Sequence, residues 1–291
     1  METTTHPTTM KVVPSGKALG AEIQGIDASK RLDDEQVQFV QDALNQYGVV
    51  VLRNQQQLQP QDQVAFAEGL GKLRVSFMTD LAVPGVPELT VVSNIVKDGK
   101  PIGLVDAGAL WHTDGSYLPQ PDMYTVLHAQ QIPVRGGKAL GETHFLSTTR
   151  AYEALPKRVV EKLDGATGIH SLTHHIQRKR EANFKAPPVA NPKPDVEHPA
   201  VRVHPRTGRK CVFLTEGHTK ALAGMSDAES QVLLDEVFTL LKDPAHIYRH
   251  QWREGDLLIW DNCATQHLAI SDYGDLPRRL HRAGIEGPVP V

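Results

Sequence analysis

The chain has 291 residues, of which 40% are hydrophobic and 22% are charged, a balance typical of a soluble globular protein. A formal net charge of -3 offers no basic surface for nucleic acid, and no apolar run approaches the roughly 18 residues of a membrane span. The N-terminus lacks the basic start and apolar core of a signal peptide. Because Cys211 and Cys263 have no metal-binding spacing, the sequence predicts a cytoplasmic protein with reduced thiols.

The first half of the chain combines short apolar strands with two amphipathic helices. Asp33 and Gly48 bound the first helix, because aspartate caps helix N-termini and glycine ends helices. Pro60 begins the second helix, since proline suits the first helical turn. After a tail predicted to be disordered, at 1–10, the predicted elements are strands at 11–14, 21–25 and 48–53, helices at 34–47 and 60–70, and strands at 89–94 and 123–132.

Serine N-caps mark helices in the second half of the chain. Ser147 begins a short helix, and Ser226 forms a capping box with Glu229 at the start of a longer one. The other predicted elements are a glycine turn at 136–137, a helix at 156–163, and strands at 200–204, 210–214, 257–260 and 278–285. The stretches 96–110 and 174–199 lack apolar periodicity and are predicted as loops, which are often lids or binding loops. Many short strands without regular β-α alternation favour a curled β-sandwich with helices packed outside.

The segment Trp111-His112-Thr113-Asp114 places an imidazole and a carboxylate two residues apart. In an extended segment, alternate side chains project to the same side, so His112 and Asp114 would lie together. Two histidines and one carboxylate on one face of Fe(II) leave three positions open for a co-substrate and O₂. His267 is the candidate for the second histidine. The alternative is a strand-end pair bonded to itself or to the backbone, because three-residue matches are common by chance.

The C-terminal segment carries two arginines in strand-like alternation. A period of two places Arg278, Leu280 and Arg282 on one face. Guanidinium groups bind carboxylates through paired hydrogen bonds and keep their charge, so this face predicts an anionic partner. The alternative is an edge strand that faces solvent.

Together these segments resemble the taurine dioxygenase and 2,4-dichlorophenoxyacetate dioxygenase (TauD/TfdA) family. The motifs are His112-Thr113-Asp114, Gly141-Glu142-Thr143-His144-Phe145, Trp260-Asp261-Asn262, Gln266-His267 and Arg278 through Arg282. The resemblance extends from about Val12 to Ile285, and the order and spacing of the motifs make it specific. It implies a single dioxygenase domain at 11–291 with a mainly β fold and peripheral helices, namely a double-stranded β-helix of the jelly-roll, cupin-like type.

The resemblance also implies an activity. His112, Asp114 and His267 would be the catalytic ligands of Fe(II) in a 2-oxoglutarate-dependent dioxygenase. Such an enzyme uses O₂ to hydroxylate a C–H bond of a small anionic or amino-acid-like substrate and releases succinate and CO₂. Desaturation, ring closure or cleavage are alternative outcomes of the same chemistry. A zinc hydrolase on the same ligands is a more distant alternative that would need neither Arg278 nor Thr143.

Further residues receive cofactor-binding roles from the resemblance. Thr143 and Arg278 would bind the distal carboxylate of 2-oxoglutarate, and Arg282 would lie near the keto-acid end of the co-substrate and near the substrate. Trp260 would pack beside the co-substrate, although a tryptophan on a buried strand more often belongs to the core. The chain departs from the family's usual Gly-Gly-Asp-Thr, because more residues separate the glycine pair at 136–137 from Thr143. The carboxylate of Asp114 argues against a halogenase, which would need a small residue there to admit a halide.

For other polar residues, a structural role is the alternative to a role in the site. The histidines that are candidates for lining the pocket, and that are more often exposed or bonded to backbone in loops, are His144, His170, His174, His175 and His204. Cys263 lacks a paired base and is interpreted as a small buried residue. Asp106 is interpreted as a loop-capping carboxylate, with substrate contact as the alternative. The family also implies a homo-oligomer, and the loops at 96–110 and 174–199 are expected to determine the substrate.

Overall fold

Strands predominate in the computed structural model, which describes residues 9–76, 79–186 and 193–291. The strands are β1 (Lys11–Pro14), β2 (Ala21–Gln24), β3 (Val49–Leu52), β4 (Leu73–Arg74), β5 (Ala82–Val83), β6 (Val86–Ser93), β7 (Val96–Lys97), β8 (Lys100–Pro101), β9 (Asp122–Gln131), β10 (Val134–Arg135), β11 (Lys138–Ala139), β12 (Thr143–Ser147), β13 (Thr167–His170), β14 (Val196–Pro199), β15 (Val201–Val203), β16 (Lys210–Val212), β17 (Thr219–Leu222), β18 (Ile247–His250), β19 (Leu257–Asp261), β20 (Thr265–Ala269) and β21 (Arg279–Glu286). The helices are α1 (Asp34–Tyr47), α2 (Pro60–Leu70), α3 (Thr148–Ala154), α4 (Lys157–Leu163), α5 (Leu172–Glu181) and α6 (Asp227–Leu241). The predicted tail at 1–10 lies outside the described residues except for its last two positions.

A large sheet and a smaller sheet face each other. The large sheet has the order β1-β2-β3-β19-β9-β21-β6-β5, with β4 also paired to β21, and the smaller one has the order β18-β12-β20. Neighbouring strands in both sheets are antiparallel, apart from the parallel pair β2 and β3. Many neighbours are distant in sequence, so the chain crosses repeatedly from one sheet to the other. This is the topology that brings the segments around His112, Thr143, His267 and Arg278 to one region.

The central strands of the large sheet are buried on both faces. Successive side chains of a strand point to opposite faces. On β3, Val49 and Val51 face the interior between the sheets together with Phe145 of β12. Val50 and Leu52 point the other way, into the core beneath α1 and α2. The continuous apolar run that predicted this strand therefore reflects two cores rather than one.

Helix ends follow the capping residues that the sequence analysis identified. The side chain of Asp33 accepts a hydrogen bond from the backbone N–H of Gln36, whose side chain binds back to the cap. Gly48 ends α1 in the left-handed conformation, with φ 68°. Ser226 and Glu229 form the predicted capping box of α6. These predictions are confirmed because caps depend on local backbone chemistry.

The prediction of a loop over 174–199 is wrong at both ends of that stretch. Residues 174–181 belong to α5, which Ser171 caps by accepting a hydrogen bond from the backbone N–H of His174. Lys179 is the buried residue of this helix, so no apolar stripe marks it. Residues 196–199 form β14, and residues 187–192 lie outside the described residues. The helix was missed because it presents polar rather than apolar side chains to its neighbours.

Two other predictions need smaller corrections. The predicted loop at 96–110 contains the hairpin β7-β8. The predicted C-terminal strand begins at Arg279, so Arg278 precedes it, and a register shift separates Arg279 from Leu280. Leu280 and Arg282 share a face with their partners on β9, as a period of two requires. None of the helices in the described residues combines the length and apolar character that crossing a membrane requires.

Candidate active site

Backbone pairing brings the two candidate metal histidines together. The backbone N–H of His112 donates to the carbonyl of His267 at 3.1 Å, and the N–H of His267 donates back to the carbonyl of His112 at 2.9 Å. His112 lies outside the named strands, but this two-way bridge adds its extended segment to β20. The N–H of Ala269 also donates to the carbonyl of Gly108, which extends the pairing. The two rings consequently lie with their centroids 4.1 Å apart.

His112, Asp114 and His267 converge on one point. One nitrogen or oxygen atom from each lies within 4.8 Å of the others. Oδ1 of Asp114 is 3.5 Å from Nε2 of His112 and 3.9 Å from Nε2 of His267. The structure therefore brings together the three residues that the sequence analysis selected as metal ligands.

Hydrogen bonds fix the tautomer of His112. Its Nδ1 lies 2.8 Å from the carbonyl oxygen of Leu110 and 3.1 Å from that of His267. Because carbonyl oxygens only accept, Nδ1 carries the proton and the Nε2 lone pair faces Asp114. Burial, together with neighbouring His112, lowers the pKa of His267 to about 3, so this imidazole is neutral at neutral pH. Neutral imidazoles are the form that binds metals.

Asp114 is a buried carboxylate that stays ionised. Burial alone would raise its pKa, but the guanidinium of Arg282 outweighs this effect, and the pKa lies well below its usual range. Nη2 of Arg282 lies 3.0 Å from Oδ2 of Asp114 and 2.9 Å from Oδ2 of Asp122. Arg282 therefore lies beside a candidate metal ligand, and its predicted role near the co-substrate and the substrate stays a prediction.

Thr143 and Arg278 form a second polar group, which is also buried. Nη2 of Arg278 donates to the carbonyl of Gly141 at 3.2 Å, while its buried Nε has no hydrogen-bond partner among the described residues. The indole N–H of Trp252 donates to the Thr143 hydroxyl at 3.0 Å, which leaves the proton of that hydroxyl free to donate. Arg278 also lies over the ring of Trp252, 6.0 Å from its centroid. Trp252 thus connects the threonine and the arginine, although the sequence analysis assigned it no role.

The side of the site around His267 is aromatic. The ring of Trp260 lies 4.8 Å from the His267 ring, and the ring of Phe145 lies 5.8 Å from it. Trp260 is buried, and its indole N–H donates to the side-chain oxygen of Asn262. Trp260 is therefore part of the interior core and also packs against a metal ligand.

The side around His112 is polar. His175 and His218 stack with ring centroids 4.2 Å apart, and they lie 6.2 Å and 5.8 Å from the His112 ring. Tyr117 lies 5.3 Å from His218. We call Tyr117, His175 and His218 the polar wall. Burial, with neighbouring His112, lowers the pKa of His175 to about 3, and burial raises the pKa of Tyr117 to about 12, so both are neutral near pH 7.

Comparison with known proteins decides the family. The model described as "Taurine catabolism dioxygenase TauD, TfdA family" matches residues 11–283. The chain belongs to the TauD/TfdA family. This family member is therefore a 2-oxoglutarate-dependent non-haem dioxygenase with a His/Asp/His metal site, and it acts on a small molecule.

Two characterised relatives and one solved structure support this assignment. The alkylsulfatase of Acinetobacter baylyi is 34% identical over 279 residues, which are 93% of this chain and 83% of the relative. The alpha-ketoglutarate-dependent sulfate ester dioxygenase of Pseudomonas putida is 32% identical over 301 residues, 100% of this chain and 94% of the relative. The crystal structure of AAD-2 in complex with Mn(II) and N-oxalylglycine is 26% identical and covers 97% of this chain and 99% of that chain, with a TM-score of 0.78. The predicted double-stranded β-helix is thereby confirmed.

The residues present fit the metal and the 2-oxo acid that the TauD/TfdA family uses. Two neutral imidazoles and one carboxylate suit Fe(II) with open coordination positions. Arg278 is 5% exposed and has no carboxylate within ion-pair distance in the described part of the chain. A buried charge without a partner is costly, so this guanidinium fits an anionic ligand better than a purely structural role.

Most other histidines that the sequence analysis weighed have structural partners elsewhere. His144 pairs with Glu142 at 3.0 Å, and His204 pairs with buried Asp261 at 2.7 Å. His170 packs against Phe213 with ring centroids 5.1 Å apart. His174 is half-buried on α5, whereas the ring of His175 lies 6.2 Å from that of the candidate metal ligand His112.

The remaining candidates, Cys263 and Asp106, have structural roles, whereas two residues beside His112 were not predicted. Cys263 is buried, and burial raises the pKa of its thiol to about 12, as expected for an inert residue. The carboxylate of Asp106 accepts the backbone N–H of Lys185, which agrees with a loop-capping role. Tyr117 and His218 were missed, because no local pattern marks them and only the fold places them beside His112.

Buried histidines make the stability of this dioxygenase sensitive to acid. Burial, with smaller contributions from His198 and Arg202, lowers the pKa of His170 from 6.5 to about 3. The unfolded chain therefore binds a proton where the folded one does not, and stability that is complete above pH 6.5 declines as the pH falls towards 3. At pH 5 we expect His170 alone to reduce the free energy of unfolding by on the order of 2 kcal/mol.

Urea unfolding at pH 7 and pH 5 should show a smaller change in the free energy of unfolding for His170→Phe than for the wild type. An equal pH effect in the two proteins would contradict the assignment.

Proposed function

We propose that this protein couples the oxidative decarboxylation of 2-oxoglutarate to the hydroxylation of a C–H bond in a small organic anion. Fe(II) would be held by His112, Asp114 and His267, O₂ would be the oxidant, and succinate and CO₂ would be released. The observation that carries the proposal is the convergence of these ligand atoms within 4.8 Å, together with the buried Arg278, whose Nε has no hydrogen-bond partner among the described residues. A zinc hydrolase would leave Arg278 without a purpose.

The protein's contribution at the metal is to present ligands in the correct state. Fe(II) held by His112, Asp114 and His267 would supply the redox chemistry with 2-oxoglutarate and O₂. His112 offers Nε2 because its Nδ1 proton is engaged by backbone carbonyls. Asp114 offers an ionised oxygen because Arg282 stabilises its charge. The aromatic side formed by Phe145 and Trp260 would exclude water from the region behind His267.

Arg278 and Thr143 would bind the distal carboxylate of 2-oxoglutarate. The unpartnered Nε of Arg278 and the free proton of the Thr143 hydroxyl are both donors, as a carboxylate requires. N-oxalylglycine is a 2-oxo dicarboxylate bound by AAD-2, and this chain matches almost the whole of that structure. Trp260 would lie beside the co-substrate through its contact with His267.

The substrate would lie between Arg282 and the polar wall. Arg282 and the phenol of Tyr117 are donors, which favours an anionic group on the substrate. The relatives named as an alkylsulfatase and a sulfate ester dioxygenase act on sulfate esters, so alkyl sulfates are the first class to test. Hydroxylation of the carbon that bears the sulfate oxygen gives a hemiacetal sulfate, which breaks down to an aldehyde and sulfate. Other small organic acids, and outcomes such as desaturation or ring closure, would use the same site.

A homo-oligomeric assembly and a cytoplasmic location stay predictions. Both cysteines are free thiols.

The proposal is tested by two measurements on the purified protein. Anaerobic addition of Fe(II) and 2-oxoglutarate should produce a weak visible charge-transfer band. In air, hexyl sulfate should then increase succinate formation and release sulfate in equal amount. The Zn(II)-loaded protein is the control, and it should show neither band nor succinate. No band, and no succinate with alkyl sulfates, sulfonates, phosphonates, amino acids or carboxylic acids, would refute the proposal.

A further inference from the structure

The two oxygens of Asp114 have different surroundings. Oδ1 faces the candidate metal histidines. Oδ2 accepts a hydrogen bond from the hydroxyl of Thr125 at 2.6 Å and lies 3.0 Å from Nη2 of Arg282. Two donors therefore occupy the oxygen that does not face the histidines.

The direction of the Thr125 hydrogen bond is determined by Asn262. The side-chain oxygen of Asn262 accepts from the indole N–H of Trp260 at 3.1 Å and from the backbone N–H of Asp114 at 3.3 Å. Both of these groups can only donate, so the amide orientation of Asn262 is fixed. Its NH₂ group consequently donates to the Thr125 hydroxyl oxygen at 3.0 Å. The single proton of Thr125 is then directed to Asp114.

We propose that Thr125 and Asn262 are positioning residues that restrict Asp114 to binding the metal through one oxygen. Thr125 and Asn262 are both completely buried, so water does not compete for these hydrogen bonds. If Oδ2 were free to turn towards the metal, a bidentate carboxylate would occupy one of the positions that O₂ and the co-substrate need. The inference rests on the metal site of the proposed function and gives Thr125 and Asn262 roles that the family resemblance did not assign.

Arg282 alone would not provide this restraint. Its side chain is 25% exposed, and its Nη2 is shared between Asp114 and Asp122. A substrate anion that binds the guanidinium would weaken the interaction of Arg282 with Oδ2 of Asp114. Thr125 lies on β9, paired with Trp260 of β19 and Gly284 of β21, so its hydroxyl keeps its place whether or not substrate is bound.

The test compares Thr125→Val, which removes the hydroxyl at nearly constant volume, with Thr125→Ser, which retains it. Mn(II) affinity of the metal-free protein is measured by titration calorimetry, and the coordination of Co(II) is followed by its visible spectrum. We expect Thr125→Val to bind Mn(II) ~10–100-fold more weakly and to change the Co(II) spectrum, and Thr125→Ser to resemble the wild type. Thr125→Ala serves if the valine variant does not fold, and it should behave like valine.

Wild-type Mn(II) affinity and an unchanged Co(II) spectrum in the valine or alanine variant would show that the hydroxyl does not position Asp114. Equal losses in the serine and valine variants would show that the retained hydroxyl does not preserve metal binding. The effect would then belong to packing of the side chain as a whole, and the proposal would be refuted as well. Neither readout needs 2-oxoglutarate turnover, so failure of the proposed activity would be seen separately, as intact metal binding without succinate formation.

Discussion

Replacement of Asp114 by alanine is expected to abolish coupled turnover and to weaken metal binding by more than the ~10–100-fold typical of residues outside the ligand set. The variant loses the anionic ligand while both histidines remain. It also removes one of the two carboxylates that neutralise Arg282, but Asp122 still pairs with that guanidinium at 2.9 Å. The fold should therefore persist. Mn(II) calorimetry, succinate formation and thermal unfolding of the metal-free protein are the measurements.

Asp122→Asn is the matched control for Asp114→Ala. Asp122 contacts the same guanidinium and is also buried, but it is not part of the group of possible metal ligands. We expect the Mn(II) affinity of this variant to stay within about 10-fold of the wild-type affinity. If Asp114→Ala kept coupled turnover, or if both variants lost metal affinity equally, the ligand set would be wrong.

Replacement of Arg278 by leucine is expected to raise the KM for 2-oxoglutarate by roughly 30-fold or more, since truncation of one partner of a buried charge pair costs about 2–5 kcal/mol. Burial lowers the pKa of Arg278, yet arginine stays protonated in proteins, so the wild-type protein without ligand contains a poorly compensated charge. The leucine variant should thus be no less stable than the wild type without 2-oxoglutarate. Thermal unfolding with and without 2-oxoglutarate, together with KM values, tests this.

Arg279→Leu is the neighbouring control, because Arg279 is exposed and begins β21. It should leave the KM for 2-oxoglutarate and the stabilisation by that compound unchanged. Stabilisation of Arg278→Leu by 2-oxoglutarate to the wild-type extent would show that another residue binds the distal carboxylate.

The features that follow from the sequence alone are those whose determining interactions are local. The caps of α1 and α6 depend on side chains within three residues of the helix start, and both were predicted. The pair His112 and Asp114 was predicted by the alternation of extended chain, although its segment is a single bridge beside β20 rather than a strand. The helix α5 was missed because it contacts polar residues and has no apolar stripe.

The sequence by itself determined the ligand types, their order along the chain and the arginines that follow them. Only the tertiary structure decided what surrounds these residues. Thr125, Tyr117 and His218 have no local signal, because their roles depend on strand pairings and loop contacts between distant segments. Nor does the sequence indicate which oxygen of Asp114 faces the histidines, since that choice follows from a buried hydrogen-bond chain through Thr125 and Asn262. The chemistry of each side chain follows from the sequence. Its orientation is determined by neighbouring groups that only the fold brings into contact.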